Sequence, residues 1–294
     1  MQSKKVSVLR GKAMRATRLS ATGAPLYGDS NAVVTEGFIS VAMTTLITET
    51  EAISQTNANG KECIGETAKS KFSGVGVEAV FCSVDFALFE MLTGQELVLD
   101  ENGKAYGITE STEIDLDAVN WALEMWTGAG DAEYGYLLLP RLTGGVISDI
   151  TVENAAINFT ITGANTKPNT WGAGPYAVET VGASPARLRV PMKKNDHRRI
   201  MVVDIAPPVE YDGALPVLDP TDAPLTALTA PVTGKTAAIT PTPSGEPTFY
   251  DFGDGNWDYS ETGAHSHTYL EGGTYTITAK RGLSTRTVTV TVAP

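Results

Sequence analysis

The chain has 294 residues, with 22 Lys+Arg against 34 Asp+Glu, a formal net charge of −12 and only two cysteines. Two domains fit that length at roughly 100–200 residues each, each large enough to bury a core unaided, so a disulfide-stapled scaffold is excluded. The acidic balance argues against a general DNA- or RNA-coating protein, and no run approaches the ~18 apolar residues of a membrane-spanning helix.

The N-terminus, Met1-Gln2-Ser3-Lys4-Lys5-Val6, is basic but has no apolar stretch behind it, so no secretory signal is expected and synthesis is expected in a cytoplasm. Residues 33–43 then read as one long strand, followed by a polar stretch over 49–71 that contains Asn57-Ala58-Asn59-Gly60 and is expected as a loop. Alternation returns at 74–84. Residues 85–92 predict a helix, with Asp85 as its cap and Phe86, Phe89 and Leu92 at helical spacing. Asn102-Gly103 after Leu97-Val98-Leu99 is a type I′ hairpin signal. Residues 119–126 fit either a helix or a strand, and the β context favours the strand. A further strand over 154–162 places Ile157, Phe159 and Ile161 on one face. Cys63 and Cys82 read as free, half-buried thiols.

From Ala206 prolines crowd the sequence (Pro207, Pro208, Pro216, Pro220, Pro224), which predicts an extended connector over 209–221 between domains at 1–208 and 222–294. Beyond it, Thr-rich alternation at 236–240, 274–279 and 286–292 predicts the strands of a small β-sandwich, with a turn at Gly282. The fold class expected for the whole chain is mainly β with one flanking helix.

Charge is segmented. Residues 1–18 carry +6, 187–199 carry +5 and 209–294 carry −6, leaving −17 for the remainder. Basic ends on an acidic body suit self-association, although solvated tails or a neutralised nucleic-acid binder give the same count.

The most distinctive string is Asp251-Phe252-Gly253-Asp254-Gly255. A kinase reading fails because the chain has no Gly-rich loop or His-Arg-Asp motif. The acids are too irregularly spaced for an EF-hand, so a tight turn is favoured over a weak Ca²⁺ loop. His265-Ser266-His267 reads either as a metal half-site or, better, as structural histidine bonding to that turn. His197 is the only histidine before residue 205 and no G-x-S-x-G string is present, so no catalytic residue, metal or cofactor is expected.

Asp251-Phe252-Gly253-Asp254-Gly255, then His267-Thr268-Tyr269 and Gly273-Thr274-Tyr275, resembles the signature of PKD domains over about 222–294. The resemblance implies an immunoglobulin-like β-sandwich in which Asp251, Gly253, Asp254, Gly255, His267, Tyr269 and Tyr275 are structural. Trp257, Tyr259 and Tyr269 are candidates for a glycan platform, with Tyr269 and Tyr275 better suited to a core. Further upstream, Arg10-Gly11-Lys12-Ala13-Met14-Arg15-Ala16-Thr17-Arg18, Asn57-Ala58-Asn59-Gly60-Lys61, Leu92-Thr93-Gly94 and Trp171-Gly172-Ala173-Gly174-Pro175-Tyr176 are similar to major tail tube proteins of long-tailed actinobacteriophages. Ala21-Thr22-Gly23 departs from that family's more polar turn.

That second resemblance implies a tail-tube β-sandwich or half-barrel. Six copies join into a ring, rings stack into a tube, and DNA passes through the lumen without specific binding. The implied partners are further copies, a tape measure protein, and tail terminator or tip proteins; host glycans could meet the PKD module, and no membrane is involved. The residues expected to serve ring stacking are Arg10, Lys12, Arg15, Arg18, Asn57, Asn59, Lys61, Arg198 and Arg199. The alternative is a bacterial surface or adhesion protein that binds polysaccharide through the PKD module.

Overall fold

The computed structural model describes residues 10–83, 85–129, 133–152 and 157–294. Lys4 and Lys5 of the basic N-terminus, and residues 154–156 of the strand expected over 154–162, lie outside the described residues. The chain is mainly β, with several antiparallel sheets and, among the described residues, one α-helix. No helix among the described residues is long and apolar enough to cross a membrane.

The first region opens with β1 (Gly11–Arg18), β2 (Gly28–Thr35), β3 (Phe38–Glu49), β4 (Ile53–Thr56), β5 (Glu62–Glu66) and β6 (Ser70–Phe81), then the helix α1 (Phe86–Thr93). Next come β7 (Glu96–Leu99), β8 (Ala105–Thr109), a 3-10 turn (Leu116–Ala118), β9 (Asn120–Ala129), β10 (Glu133–Thr143), β11 (Val146–Val152) and β12 (Ile157–Thr166). Short strands β13 (Glu179–Val181), β14 (Ser184–Ala186), β15 (Arg199–Val203) and β16 (Leu215–Val217) complete it. Ten of these strands form one antiparallel sheet in the order β16-β2-β1-β9-β10-β12-β6-β3, with β11 on β12 and β15 on β10.

The centre of this sheet is covered on both faces. Trp121, Leu123 and Met125 of β9 point into a core shared with α1, β1, β6 and β12. Ala122 and Trp126 point the other way, against Trp171, Val178, Leu188 and Met192. A strand buried on both sides reads as a continuous apolar run rather than an alternating one, which explains why 119–126 also satisfied a helical pattern. The helix begins where Asp85 Oδ1 accepts the Ala87 N–H at 2.8 Å and ends at Gly94, whose left-handed φ of 71° closes the last turn.

Three expectations change. The single strand over 33–43 breaks at Glu36-Gly37, because β2 pairs with β1 whereas β3 pairs with β6. Gly37 accepts the Cys82 N–H there, and a Cβ on it would lie 2.4 Å from the Ser83 carbonyl. The β7–β8 hairpin forms, but only Gly103 has positive φ, so the turn is not type I′. The polar stretch 49–71 is not a loop: β4 and β5 continue the β3–β6 ladder outward to a tip at Asn57–Gly60.

The second region contains β17 (Ala227–Thr229), β18 (Val232–Thr233), β19 (Thr236–Thr242), β20 (Thr248–Asp251), β21 (Trp257–Ser260), β22 (His265–Thr268), β23 (Gly273–Arg281) and β24 (Ser284–Val292). They form two four-stranded antiparallel sheets around a core that includes Tyr250, Phe252, Tyr269, Ile277 and Val290. The strands expected at 236–240, 274–279 and 286–292 fall within β19, β23 and β24, and Gly282 turns the β23–β24 hairpin. The proline-rich stretch is more than a connector, since β16 adds a strand to the large sheet by pairing with β2.

Candidate assembly surfaces

The basic N-terminal segment divides once its strand is in place. Arg10 and Lys12 are exposed, with Lys12 Nζ 5.3 Å over the Tyr134 ring. Arg15 does not form a free surface for ring stacking, because its side chain is buried, and Arg18 is half-buried and engaged with Glu90. Arg15 is buried, and its Nε and Nη2 bond both carboxylate oxygens of Glu124 at 2.7 and 2.9 Å. Its guanidinium lies over the Tyr176 ring at 3.2 Å and the Trp126 ring at 5.0 Å. The Tyr136 hydroxyl donates to Glu124 Oε1 at 2.6 Å, and the Tyr176 hydroxyl bonds Thr17 Oγ1 at 2.9 Å.

Burial works against the Arg15 charge, but Glu124 and the flanking tyrosines outweigh it and hold the guanidinium pKa above its ordinary value. Burial, reinforced by Glu124, pushes the Tyr136 phenol well up, and burial takes Tyr176 to about 12. Arg18 bonds Glu90 of α1 in a half-buried, two-pronged pair at 3.0 and 2.5 Å. The sequence did carry a signal for Arg15: Glu124 is the lone carboxylate in Trp121-Ala122-Leu123-Glu124-Met125-Trp126, and a carboxylate buried in such a run needs a cation.

Asn57, Asn59 and Lys61 come together at the tip of the β4–β5 hairpin, where Asn57 Oδ1 accepts the N–H groups of Asn59 and Lys61, each at 3.0 Å. Every residue from 47 to 73 is exposed, including Ile47, Ile53, Ile64 and Phe72. At ~3.3 Å per residue the exposed part of this arm is roughly 40 Å long. Cys63 on the arm and Cys82, beside Gly37 at the far end of the β3–β6 pair, are free thiols, both exposed rather than half-buried.

In the second basic segment, Leu188 and Met192 anchor the chain in the core while Lys193, Lys194 and Arg198 stay exposed. Arg198 is thus open to a partner, whereas Arg199 is tied back to the Val190 carbonyl and to Asp196 at 3.8 Å. His197 Nδ1 bonds Thr166 Oγ1 at 2.9 Å and packs edge-on against Phe72. Burial lowers its pKa, against the pull of Asp196.

The signature turn lies between β20 and β21. Asp251 Oδ1 accepts the Gly253 N–H at 2.9 Å, and Asp254 Oδ1 accepts the Asn256 N–H at 3.1 Å. Gly253 has φ of 78°, and a Cβ on it would lie 2.6 Å from the Thr276 carbonyl, so only glycine fits. His267 Nε2 bonds Asp254 Oδ2 at 2.8 Å, with its ring stacked 3.9 Å from Phe252. The Tyr269 hydroxyl donates to the Phe252 carbonyl at 3.1 Å and its ring stacks on Tyr275 at 4.2 Å. Gly255 completes the turn with φ of 88°. This is the structural histidine and tight turn read from the sequence. Among the described residues no group of three or more His, Cys, Asp or Glu is arranged to hold a metal ion.

Sequence reasoning missed Tyr211, in the stretch taken as a connector. Its hydroxyl donates to Asp251 Oδ2 at 2.8 Å and its ring packs on Phe249 and Trp257, fastening the connector to the second region. Burial and Asp251 push its phenol up. Beside it is a cleft of about 340 Å³ lined by Arg15, Trp126, Tyr176, Phe249 and Lys280. No family model and no curated protein matches this chain.

Proposed function

We propose that the chain is a structural subunit that assembles as stacked six-membered rings into a phage tail tube, a conduit for DNA, with the 222–294 module carried on the outside. The observation that supports this reading most directly is the arm over residues 47–73. A two-stranded hairpin alone is marginal in water, and this one exposes Ile47, Ile53 and Ile64 along its length. An arm of that kind gains stability when a neighbouring copy covers it. Arg15 and Arg18 leave the set of stacking residues; the arm tip with Asn57, Asn59 and Lys61, together with Arg10, Lys12 and Arg198, remains. The signature turn acts as scaffold for the outer module, a role in which presentation rather than catalysis is the output.

Negative-stain microscopy of the purified full chain tests the reading. Rings or tubes are expected from the native sequence, and a folded monomer from a variant in which residues 51–68 are replaced by a two-residue Asn-Gly turn. A native chain that stays monomeric at every concentration, or a shortened arm that still gives tubes, overturns it.

A further inference from the structure

The −17 remainder of the chain is not evenly spread. Residues 96–117 hold Glu96, Asp100, Glu101, Glu110, Glu113, Asp115 and Asp117 against Lys104 alone, or −6. All seven acids are exposed, and among them stand Leu99, Tyr106 and Leu116, apolar side chains open to solvent. The +5 segment at 187–199 is built the same way with the opposite sign, since Lys193, Lys194 and Arg198 are exposed in a segment that also exposes Val190.

The fold sets these two surfaces on opposite faces of one sheet. Strands β7 and β8 pack on α1, and Ile108 of β8 reaches the core that α1 forms with Trp121, Leu123 and Met125 of β9. The basic segment is anchored by Leu188 and Met192 in the other core, against Ala122 and Trp126 of the same strand. A subunit with an acidic face on one side of β9 and a basic face on the other cannot pair face to like face without apposing like charges. It can pair acidic face to basic face, which is a heterologous contact that closes into a ring when the rotation fits.

We infer that the exposed acidic surface of residues 96–117 in one copy docks on the basic surface of residues 187–199 in the next, with Leu99, Tyr106 and Leu116 meeting Val190 inside the charged rim. This lateral contact rests on the tube reading and specifies the partner of each face. It uses surfaces other than the arm and takes Arg198 out of the stacking set into the lateral contact, which leaves the arm, Arg10 and Lys12 for a contact between rings.

Two full-chain variants test it. Glu96→Lys, Glu101→Lys, Glu110→Lys and Glu113→Lys together give a subunit basic on both faces; Lys193→Glu, Lys194→Glu and Arg198→Glu give one acidic on both faces. None of these side chains makes a hydrogen bond or ion pair among the described residues, so thermal midpoints and circular dichroism should match the native chain. In sedimentation velocity at low salt each variant alone should be monomeric, with at least a tenfold rise in the concentration at which assembly begins. An equimolar mixture should co-assemble by alternating the two. A native chain that assembles while either variant alone also assembles normally, or while the mixture stays monomeric, overturns the pairing and leaves the tube reading standing. A native chain that never assembles overturns both.

Discussion

Each region of this protein buries an arginine, and each answers its charge differently. Arg15 lies at the centre of the large sheet and meets Glu124 with two charge-assisted bonds across the β1–β9 pair. Arg281, at the end of β23, is fully buried and meets no carboxylate at hydrogen-bond distance among the described residues. Its guanidinium donates to the carbonyls of Pro243, Glu246 and Pro247 and to Thr248 Oγ1, at 2.8 to 3.3 Å. In the first region the cation fixes which strand lies beside which, because only one register places Arg15 opposite Glu124. In the second it gives shape to a loop, residues 243–248, whose carbonyls mostly have no strand to bond. Specificity of pairing comes from a carboxylate, and specificity of loop shape from a fan of neutral acceptors.

The largest effect should follow from breaking the first arrangement. Glu124→Leu leaves Arg15 buried without its carboxylate and Tyr136 without its acceptor, so urea unfolding should report a loss of ~3–5 kcal/mol; a loss under ~1 kcal/mol would show that water reaches the site. Arg15→Met combined with Glu124→Leu should recover most of that loss, since removing both partners of a buried pair is often close to neutral. Arg281→Leu should cost roughly 2–3 kcal/mol through the loop carbonyls it strands. It should also speed proteolysis at 243–248 while leaving the large sheet intact, and uniform cleavage across the chain would contradict that locality.

The same contrast explains what could be read beforehand. The second region was legible because its strands alternate cleanly along the sequence and its signature residues lie within about 25 positions of one another, so Asp254, His267 and Tyr269 could be joined by inspection. The Arg15–Glu124 pair spans 109 positions, and counting charge along the chain placed Arg15 in a basic arm when its partner lay in an apolar strand. Tyr211 was hidden for a related reason, since proline content suggested a connector and said nothing of what the connector packs on. The arm was taken for a loop because polar composition marks exposure, and an exposed hairpin is as polar as a loop. Hairpin existence at 96–109 was readable from Asn102-Gly103, while the turn type was not, because Asn102 need not adopt the left-handed conformation that a type I′ turn requires.

The second region does employ a carboxylate near its surface, and pH separates it from both arginines. Burial alone would raise the Asp254 pKa, but the bonds from His267 and the Asn256 N–H overcome this and hold it below the ordinary carboxylate value. A carboxylate depressed in the folded state stabilises above its unfolded pKa of ~3.9, and that stability is lost as pH falls through the folded value. The urea midpoint of the native chain should therefore fall more steeply below pH ~4 than that of Asp254→Asn, although the variant starts lower at pH 7. Parallel curves for the two would mean that Asp254 contributes nothing to the acid limb.

The smallest effect should come from Arg18, three residues along β1 from Arg15. It too grips a carboxylate with two nitrogens, at 3.0 and 2.5 Å, yet its side chain and that of Glu90 are about a third and a quarter exposed. Water already solvates both partners there, so the ion pair replaces hydration it can partly keep and its net contribution is ~0–1 kcal/mol. Arg18→Gln should shift the urea midpoint by no more than that, and raising the salt concentration should shrink the difference further. If Arg18→Gln proved as damaging as Glu124→Leu, two-pronged geometry rather than burial would govern these arginines, and the contrast between Arg15 and Arg281 would need the same explanation.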